Sequence, residues 1–250
     1  MSTRNEEFKN MNYSGFDSIL HVASIVHQKK YVSQDDYYSV NVKNTIEIAE
    51  LAKKAGVRQF IFISSMAVYG DNETQITNSS KLQPSNLYGK TKLMAEEKLL
   101  GLQDDKFIIS ILRPPMIYGK DCPGNYKTLS KLARRIHVFP TIENQRSMIY
   151  IDNLSECIWN IINAELSGIF YPQNIELVNT YNLVREIANC YNHKVMGFSF
   201  LNPIIKTLIK YNRLIRKIFG NLYYTKEMSH IKEFNYQVVT FEESIKETEV

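Results

Sequence analysis

Residues 59–64, QFIFIS, are the most continuous run of β-branched and aromatic side chains in the sequence. A strand that is apolar at nearly every position has both faces covered, as an interior strand of a parallel sheet does between two helix layers. The flanking segments agree with that reading. DSILHVA (17–23) is a brief apolar run bounded by Gly15 and polar residues, and FIISILR (107–113) ends at Pro114-Pro115. Helical patterns lie between these runs, at about 35–55 and 86–101. Asp35 and Asp36 suit the positive end of the first helix and Gly56 its stop, while Tyr88, Thr91, Leu93, Ala95 and Leu99 run along the second. The order strand–helix–strand–helix–strand predicts right-handed βαβ units and an α/β fold.

After residue 119 the pattern changes. Helices are predicted at 125–136, 152–164, 180–191, 203–218 and 241–248, with short strand-like pieces near 147–151 and 168–172. No internal repeat or low-complexity linker separates the halves. One interleaved α/β body with a helical second lobe is therefore expected.

Glycine constrains the chain by its spacing. None of the ten glycines lies two or three residues from another, so no GxGxxG or GxxGxxG turn is present. Gly119 and Gly124 have the separation of a phosphate loop, but Asn125 follows where lysine is required. A complete dinucleotide-binding half carries a phosphate turn on its first strand. The expectation is a fragment, a shortened gene start, or a fold that has given up the motif.

Composition narrows the classes further. With 44% hydrophobic and 12% aromatic residues, disorder is excluded as the main state. A net charge of +4 is too mild to argue for a nucleic-acid partner. No apolar run is long enough to span a membrane, and MSTRNEEFKN lacks the apolar core of a signal peptide. The three cysteines, Cys122, Cys157 and Cys190, are odd in number and far apart, which fits a reducing cytoplasm. No metal site is expected, since His27, His137, His193 and His230 show no ligand spacing with one another or with cysteine.

The candidate chemistry lies in Ser65, Tyr88 and Lys92. Tyr88-Gly89-Lys90-Thr91-Lys92 is a YxxxK, and positions i and i+4 of a helix share a face. An ammonium beside a phenol favours the phenolate, which would pull Tyr88 down from its usual value of about 10 and make it a general base. With 16 tyrosines in the chain, one YxxxK is expected about once by chance, so the motif alone says little. Its context says more. Ser64-Ser65 closes the most hydrophobic strand, and ligands of parallel sheets bind at the carboxyl ends of strands. A hydroxyl there, with a Tyr/Lys helix one crossover away, can hold a carbinol: one group orients it and the other takes its proton.

FISSMAVYG (62–70), SNLYGKTK (85–92), LRPPMIYG (112–119) and RSMIYIDNL (146–154) occur in order at compatible distances. Together they resemble the extended short-chain dehydrogenase/reductase family, in the branch of NAD-dependent epimerase/dehydratases similar to UDP-glucose 4-epimerase, over residues 16–250. The resemblance implies a Rossmann-like parallel sheet, N-terminally truncated here, in 1–119 and about 147–172. It implies a smaller, mostly helical substrate lobe in about 120–146 and 173–250. The cofactor implied is NAD or NADP and the substrate a nucleotide sugar, in a cytoplasmic enzyme. Pairing into a homodimer through the YxxxK helix is implied as well.

Carried over by position, Ser65 holds the sugar hydroxyl or ketone, Tyr88 exchanges its proton, and Lys92 holds the nicotinamide ribose. His21 and Ala23 match the strand that passes under the cofactor, Asn41 matches an asparagine that supports the site, and Pro115 falls on the cofactor side. Met66, Asn125 and Arg146 fall on the substrate side, the last two at the diphosphate, where a guanidinium fork suits two oxygens. Met116 departs from an asparagine common in sugar epimerases. Met66-Ala67 stand where 4,6-dehydratases carry Asp-Glu, so dehydration is not expected. The implied activity is a UDP-sugar 4-epimerase working by transient hydride transfer. A UDP-4-keto-sugar reductase and a remnant that binds no cofactor alone are the alternatives.

Plainer roles stand beside these. A strand-end serine commonly caps a turn, a histidine in an apolar strand is commonly packed and hydrogen-bonded, and asparagine caps helices well. The stretch 203–219, PIIKTLIKYNRLIRKIF, is basic and amphipathic. It reads as a lid helix of the substrate lobe with its charged face in water, or as a helix for a membrane surface or anionic partner.

Overall fold

A computed structural model describes residues 6–26, 32–71 and 73–250; His27 lies outside the described residues. In chain order the elements are β1 (Ser18–His21), α1 (Gln34–Tyr38), a π-helical turn (Ser39–Lys43), α2 (Asn44–Lys54), β2 (Gln59–Ile63), a 3-10 turn (Met66–Tyr69), β3 (Gln75–Ile76), α3 (Leu87–Leu100) and β4 (Ile108–Leu112). They continue with β5 (Met116–Tyr118), α4 (Asn125–Ala133), β6 (Val138–Pro140), β7 (Met148–Tyr150), α5 (Ile151–Asn163), β8 (Gly168–Phe170), α6 (Thr180–Cys190) and β9 (Met196–Phe198). The last are α7 (Asn202–Tyr211), α8 (Arg213–Phe219), β10 (Tyr223–Tyr224), α9 (Lys226–Ser229) and α10 (Phe241–Glu249). The chain divides into two compact units. The first is Met1–Glu73, Ser79–Pro114 and Ile158–Tyr171; the second is Thr74–Asn78, Pro115–Cys157 and Pro172–Val250.

The first unit is a parallel sheet in the order β1-β2-β4-β8. Every residue of β2 is buried, as its unbroken apolar run requires. On one face Phe60, Phe62, Ile109 and Ile111 pack with Ile48, Ala49 and Ala52 of α2 and Ala95 and Leu99 of α3. On the other, the one polar residue of β2 is half satisfied: Gln59 Nε2 donates to Ser110 Oγ and to the carbonyls of Ile161 and Leu166, while its buried Oε1 has no partner among the described residues. The helix predicted over 35–55 starts on a capping box, with Ser33 Oγ accepting from the Asp36 amide and Asp36 accepting from the Ser33 amide. The wide turn at Ser39–Lys43 separates α1 from α2 and buries Asn41 and Val42.

The second unit holds short parallel pairs, β5 with β7, β6 with β9 and β3 with β10. Helix α6 packs against α4 and α10. Tyr118, Tyr126, Phe139, Tyr150, Val184 and Ile187 lie in its core. Gln75–Ile76, between β2 and α3, pairs with Tyr223–Tyr224. One expectation fails here. The single helix expected over 203–218 is two. Asn212 leaves helical geometry, and its Oδ1 caps α8 by accepting from the amides of Leu214 (2.9 Å) and Ile215 (3.1 Å). Asparagine competes for backbone donors better at a cap than inside a helix. Among the described residues no helix is long and apolar enough to cross a membrane.

Candidate active site

Ser65 leaves the carboxyl end of β2 with extended backbone and caps the turn after it, its Oγ accepting from the Ala67 amide at 3.1 Å. That bond occupies a lone pair and leaves the hydroxyl proton to donate. Tyr88 lies in the first turn of α3, whose start is fixed by Asn86 Oδ1 accepting from the Gly89 amide at 2.8 Å. The Tyr88 phenol is hydrogen-bonded to the Ser65 and Ser24 side chains. Gly89 makes the approach possible. A β-carbon there would lie 2.5 Å from the Ala67 carbonyl oxygen, so α3 touches the turn that Ser65 caps with only a hydrogen between them.

Lys92 follows one turn along α3 and is buried. Its Nζ donates to the Ile63 carbonyl at 2.7 Å, lies 4.4 Å from the Phe62 ring centroid and 5.9 Å from that of Tyr88. Burial pushes the ammonium down to about 7, against the opposing charge of Glu96. The sequence expectation that Lys92 lowers Tyr88 needs correction. Burial raises the Tyr88 phenol, and only the Ser65 and Ser24 hydrogen bonds oppose it. The ammonium is held by a strand carbonyl and shares no hydrogen bond with the phenol.

The residues around this trio are largely braced. Asn41 spends its whole carboxamide: Oδ1 accepts from the Ile25 amide at 2.7 Å, and Nδ2 donates to the Ile25 carbonyl (3.0 Å) and Thr91 Oγ1 (3.1 Å). His21 is buried at the end of β1, with Nε2 3.0 Å from Thr45 Oγ1 and its ring stacked on Phe60 and Phe62. Burial, with a smaller push from Lys92, lowers its pKa to about 3, so it is a neutral, packed imidazole. Ala23 is half-buried and Met66 is buried, the Met66 amide donating to the Pro114 carbonyl.

One further set was not singled out from sequence. Glu96 and Arg113 form a buried ion pair, with Nη2 to Oε2 at 2.6 Å and Nε to both oxygens. Ser64 Oγ donates to Glu96, and Arg113 Nη1 donates to Tyr69 at 2.9 Å. Tyr88, Lys92 and Glu96 recur every four residues along α3, and that spacing was the available signal.

The second unit places the remaining residues. Pro115 is buried and opens the unit's second segment. Asn125, exposed, is the first residue of α4. Arg146 lies just before β7; its Nη1 donates to the Gly220 carbonyl at 3.0 Å, and burial lowers its pKa. No carboxylate pairs with it among the described residues. Asn125 and Arg146 line one cavity of about 320 Å³ together with Thr128, Thr180 and Lys217.

The sequence pattern of the NAD dependent epimerase/dehydratase family matches residues 2–171. The chain belongs to that family. Among curated members, it is 28% identical over 208 residues to an N-acetyl-alpha-D-glucosaminyl-diphospho-ditrans,octacis-undecaprenol 4-epimerase of Escherichia coli O157:H7, covering 80% of this chain and 62% of that protein. It is 30% identical over 161 residues to a UDP-glucose 4-epimerase of Vibrio cholerae, covering 61% of this chain and 49% of that one. The chain thus spans about half to three-fifths of the length of these relatives. In fold, a UDP-glucuronic acid 4-epimerase from Bacillus cereus, solved in complex with NAD, superposes with a TM-score of 0.72 over 97% of this chain and 77% of that one, at 16% identity. The Rossmann-like parallel sheet of the epimerase/dehydratase family is therefore the fold of this chain.

Proposed function

We propose that the chain is a UDP-sugar 4-epimerase that passes through a 4-keto sugar, with NAD as its redox partner. The observation that carries this is the hydroxyl pair Ser65–Tyr88 at the carboxyl end of β2, with the Lys92 ammonium buried nearby. Burial keeps the Tyr88 phenol protonated in the chain alone, so its phenolate would be favoured by the positive nicotinamide of bound NAD. Tyr88 Oη then takes the proton of the sugar 4-hydroxyl and later returns it, while the Ser65 hydroxyl donates to the same sugar oxygen. Bound NAD supplies the hydride acceptor and donor.

The residues present fit the nicotinamide-ribose end of that cofactor. Among the described residues Lys92 Nζ has one hydrogen-bond partner, the Ile63 carbonyl, so its other donors suit ribose hydroxyls. His21 and Ala23 give that end a wall and Asn41 acts by bracing; Pro115 has a cofactor role only by the resemblance. Arg146 and Asn125 take the diphosphate, and Met66 borders the sugar. A half-buried guanidinium that no carboxylate pairs with keeps donors for an anion.

Incubation of the purified chain with NAD and UDP-glucose or UDP-N-acetylglucosamine, followed by anion-exchange chromatography, tests the activity. The C4 epimer should appear without net cofactor reduction, and Tyr88→Phe should lower turnover by roughly 10²–10⁴-fold with sugar binding retained. Consumption of reduced cofactor by a UDP-4-keto sugar, with no epimer from either substrate, would make it a reductase. A second reading rests on the glycine spacing: no phosphate turn lies in these 250 residues, so this chain by itself would bind no cofactor. Calorimetric titration with NAD separates the two, micromolar binding rejecting the second and none rejecting the first for this chain.

A further inference from the structure

Residues 187–226 contain seven Lys or Arg and no Asp or Glu. The whole chain carries only +4, so the remainder is net negative. The cationic segment contains α7 and α8, and neither helix has a buried residue. Their apolar side chains stand in water all the same: Tyr211 is 82% exposed, Leu214 72% and Ile204 58%, with Phe200 just before α7 at 75%.

Helical spacing sorts these groups. Ile204, Leu208 and Tyr211, at i, i+4 and i+7, form one ridge of α7. Ile205 and Ile209 are half-buried and face the body, while Lys206 and Lys210 share a third, exposed sector. A helix that only packed would leave no second apolar ridge. An exposed apolar ridge on one side of a helix with lysines on another, in a segment free of carboxylates, is the pattern of a helix lying in a lipid interface.

We propose that the α7–α8 segment docks on the surface of an anionic bilayer, Ile204, Leu208 and Tyr211 entering the headgroup boundary and Lys206, Lys210 and Lys217 meeting lipid phosphates. A polyanionic nucleic acid would answer the cations and stack on Tyr211 and Phe200 but offers nothing to the aliphatic Ile204, Leu208 and Leu214. A second copy meeting the first across a two-fold axis would bring like charges together. Leu214, Lys217 and Ile218 of α8 also line the cavity that holds Arg146, so the lipid surface and that cavity share a wall. The proposal is independent of the sugar chemistry.

The test is co-sedimentation of the full chain with phosphatidylcholine vesicles and with vesicles in which one-third of the lipid is phosphatidylglycerol, at low and high salt. Partitioning onto the anionic vesicles should be roughly tenfold stronger or more, and should weaken with salt. Ile204→Ser with Tyr211→Ser should reduce it about tenfold, and Lys206→Glu with Lys210→Glu should abolish the preference for anionic lipid. None of these side chains is buried, so the melting temperature should not move. Equal or absent partitioning on the two vesicle types overturns the proposal, as does partitioning insensitive to both double variants. Light scattering that shows a dimer dissolved by Ile204→Ser with Tyr211→Ser also overturns it, and makes the face a contact between copies.

Discussion

Gly89 and Ala67 are in backbone contact: a β-carbon on Gly89 would sit 2.5 Å from the Ala67 carbonyl oxygen and 3.0 Å from the Pro84 side chain. This contact sets how close α3 comes to the turn capped by Ser65, and hence whether the phenol of Tyr88 reaches the serine hydroxyl. Glycine in a helix ordinarily loses about 1 kcal/mol to alanine. Here the obstacle is backbone, which cannot rotate away, so Gly89→Ala should destabilise by about 1–3 kcal/mol. Thermal melts read that loss, and a sugar turnover that falls further than stability alone explains would mark the displacement of Tyr88. A variant more stable than the parent would refute the contact.

Proton affinities in the trio give a second expectation. In the chain without cofactor, the Tyr88 phenol should titrate above 10, since burial dominates. The difference in tyrosinate absorbance between the parent and Tyr88→Phe isolates that group. A transition below 10 would show that the ammonium, and not burial, governs it.

Lys92 has a stability signature with a defined sign. Its folded value of about 7 lies below the ordinary 10.5, so between those limits the unfolded chain binds the extra proton. Stability contributed by this site therefore rises from pH 7 toward 10.5. Urea midpoints of the parent and Lys92→Met at pH 7 and pH 9 should diverge accordingly, the parent gaining more on the alkaline side. Parallel behaviour would mean that the ammonium is better solvated than its burial implies.

The Glu96–Arg113 pair should behave as a unit. Glu96→Gln strands a buried guanidinium and should cost about 3–5 kcal/mol, whereas Glu96→Gln combined with Arg113→Met should cost less than the sum of the single changes. Denaturation of the four proteins of this cycle measures the coupling. Additive effects would mean that Ser64 and Tyr69, and not the ion pair, hold the strand end.

Arg146 spends one donor on the Gly220 carbonyl and meets no acid among the described residues. Arg146→Ala should raise the KM for a sugar diphosphate at least tenfold with a smaller change in kcat, and Arg146→Lys should restore little, because an ammonium lacks the planar fork. A normal KM in Arg146→Ala would remove the diphosphate assignment.

Where local chemistry fixes structure, the sequence was readable. The apolar run at β2 announced an interior strand, and the i, i+4 spacing of Tyr88 and Lys92 put them one turn apart on α3. What escaped depends on distant or very short segments. The pairing of β3 with β10 joins two-residue pieces from far-apart parts of the chain, too short to display alternation. The hydrogen bond from Ser24 to Tyr88 depends on the path of the chain after β1, which no periodicity encodes. Asn212 looked like one polar residue in a helical stripe, although its side chain is an N-cap. Lys92 was assigned to the phenol because only sequence neighbours were visible; its actual acceptor, Ile63, is a strand carbonyl 29 positions earlier.

The carboxamide of Asn41 grips the backbone on both sides of Ile25 and, with its remaining hydrogen, the hydroxyl of Thr91. Ser24 precedes the first of these anchor points, and Tyr88 lies one helical turn before the second. A single side chain on an under-wound turn thus acts as a splint: the post-strand segment and the tyrosine helix are set to a common reference, and neither can drift without breaking bonds to the same amide.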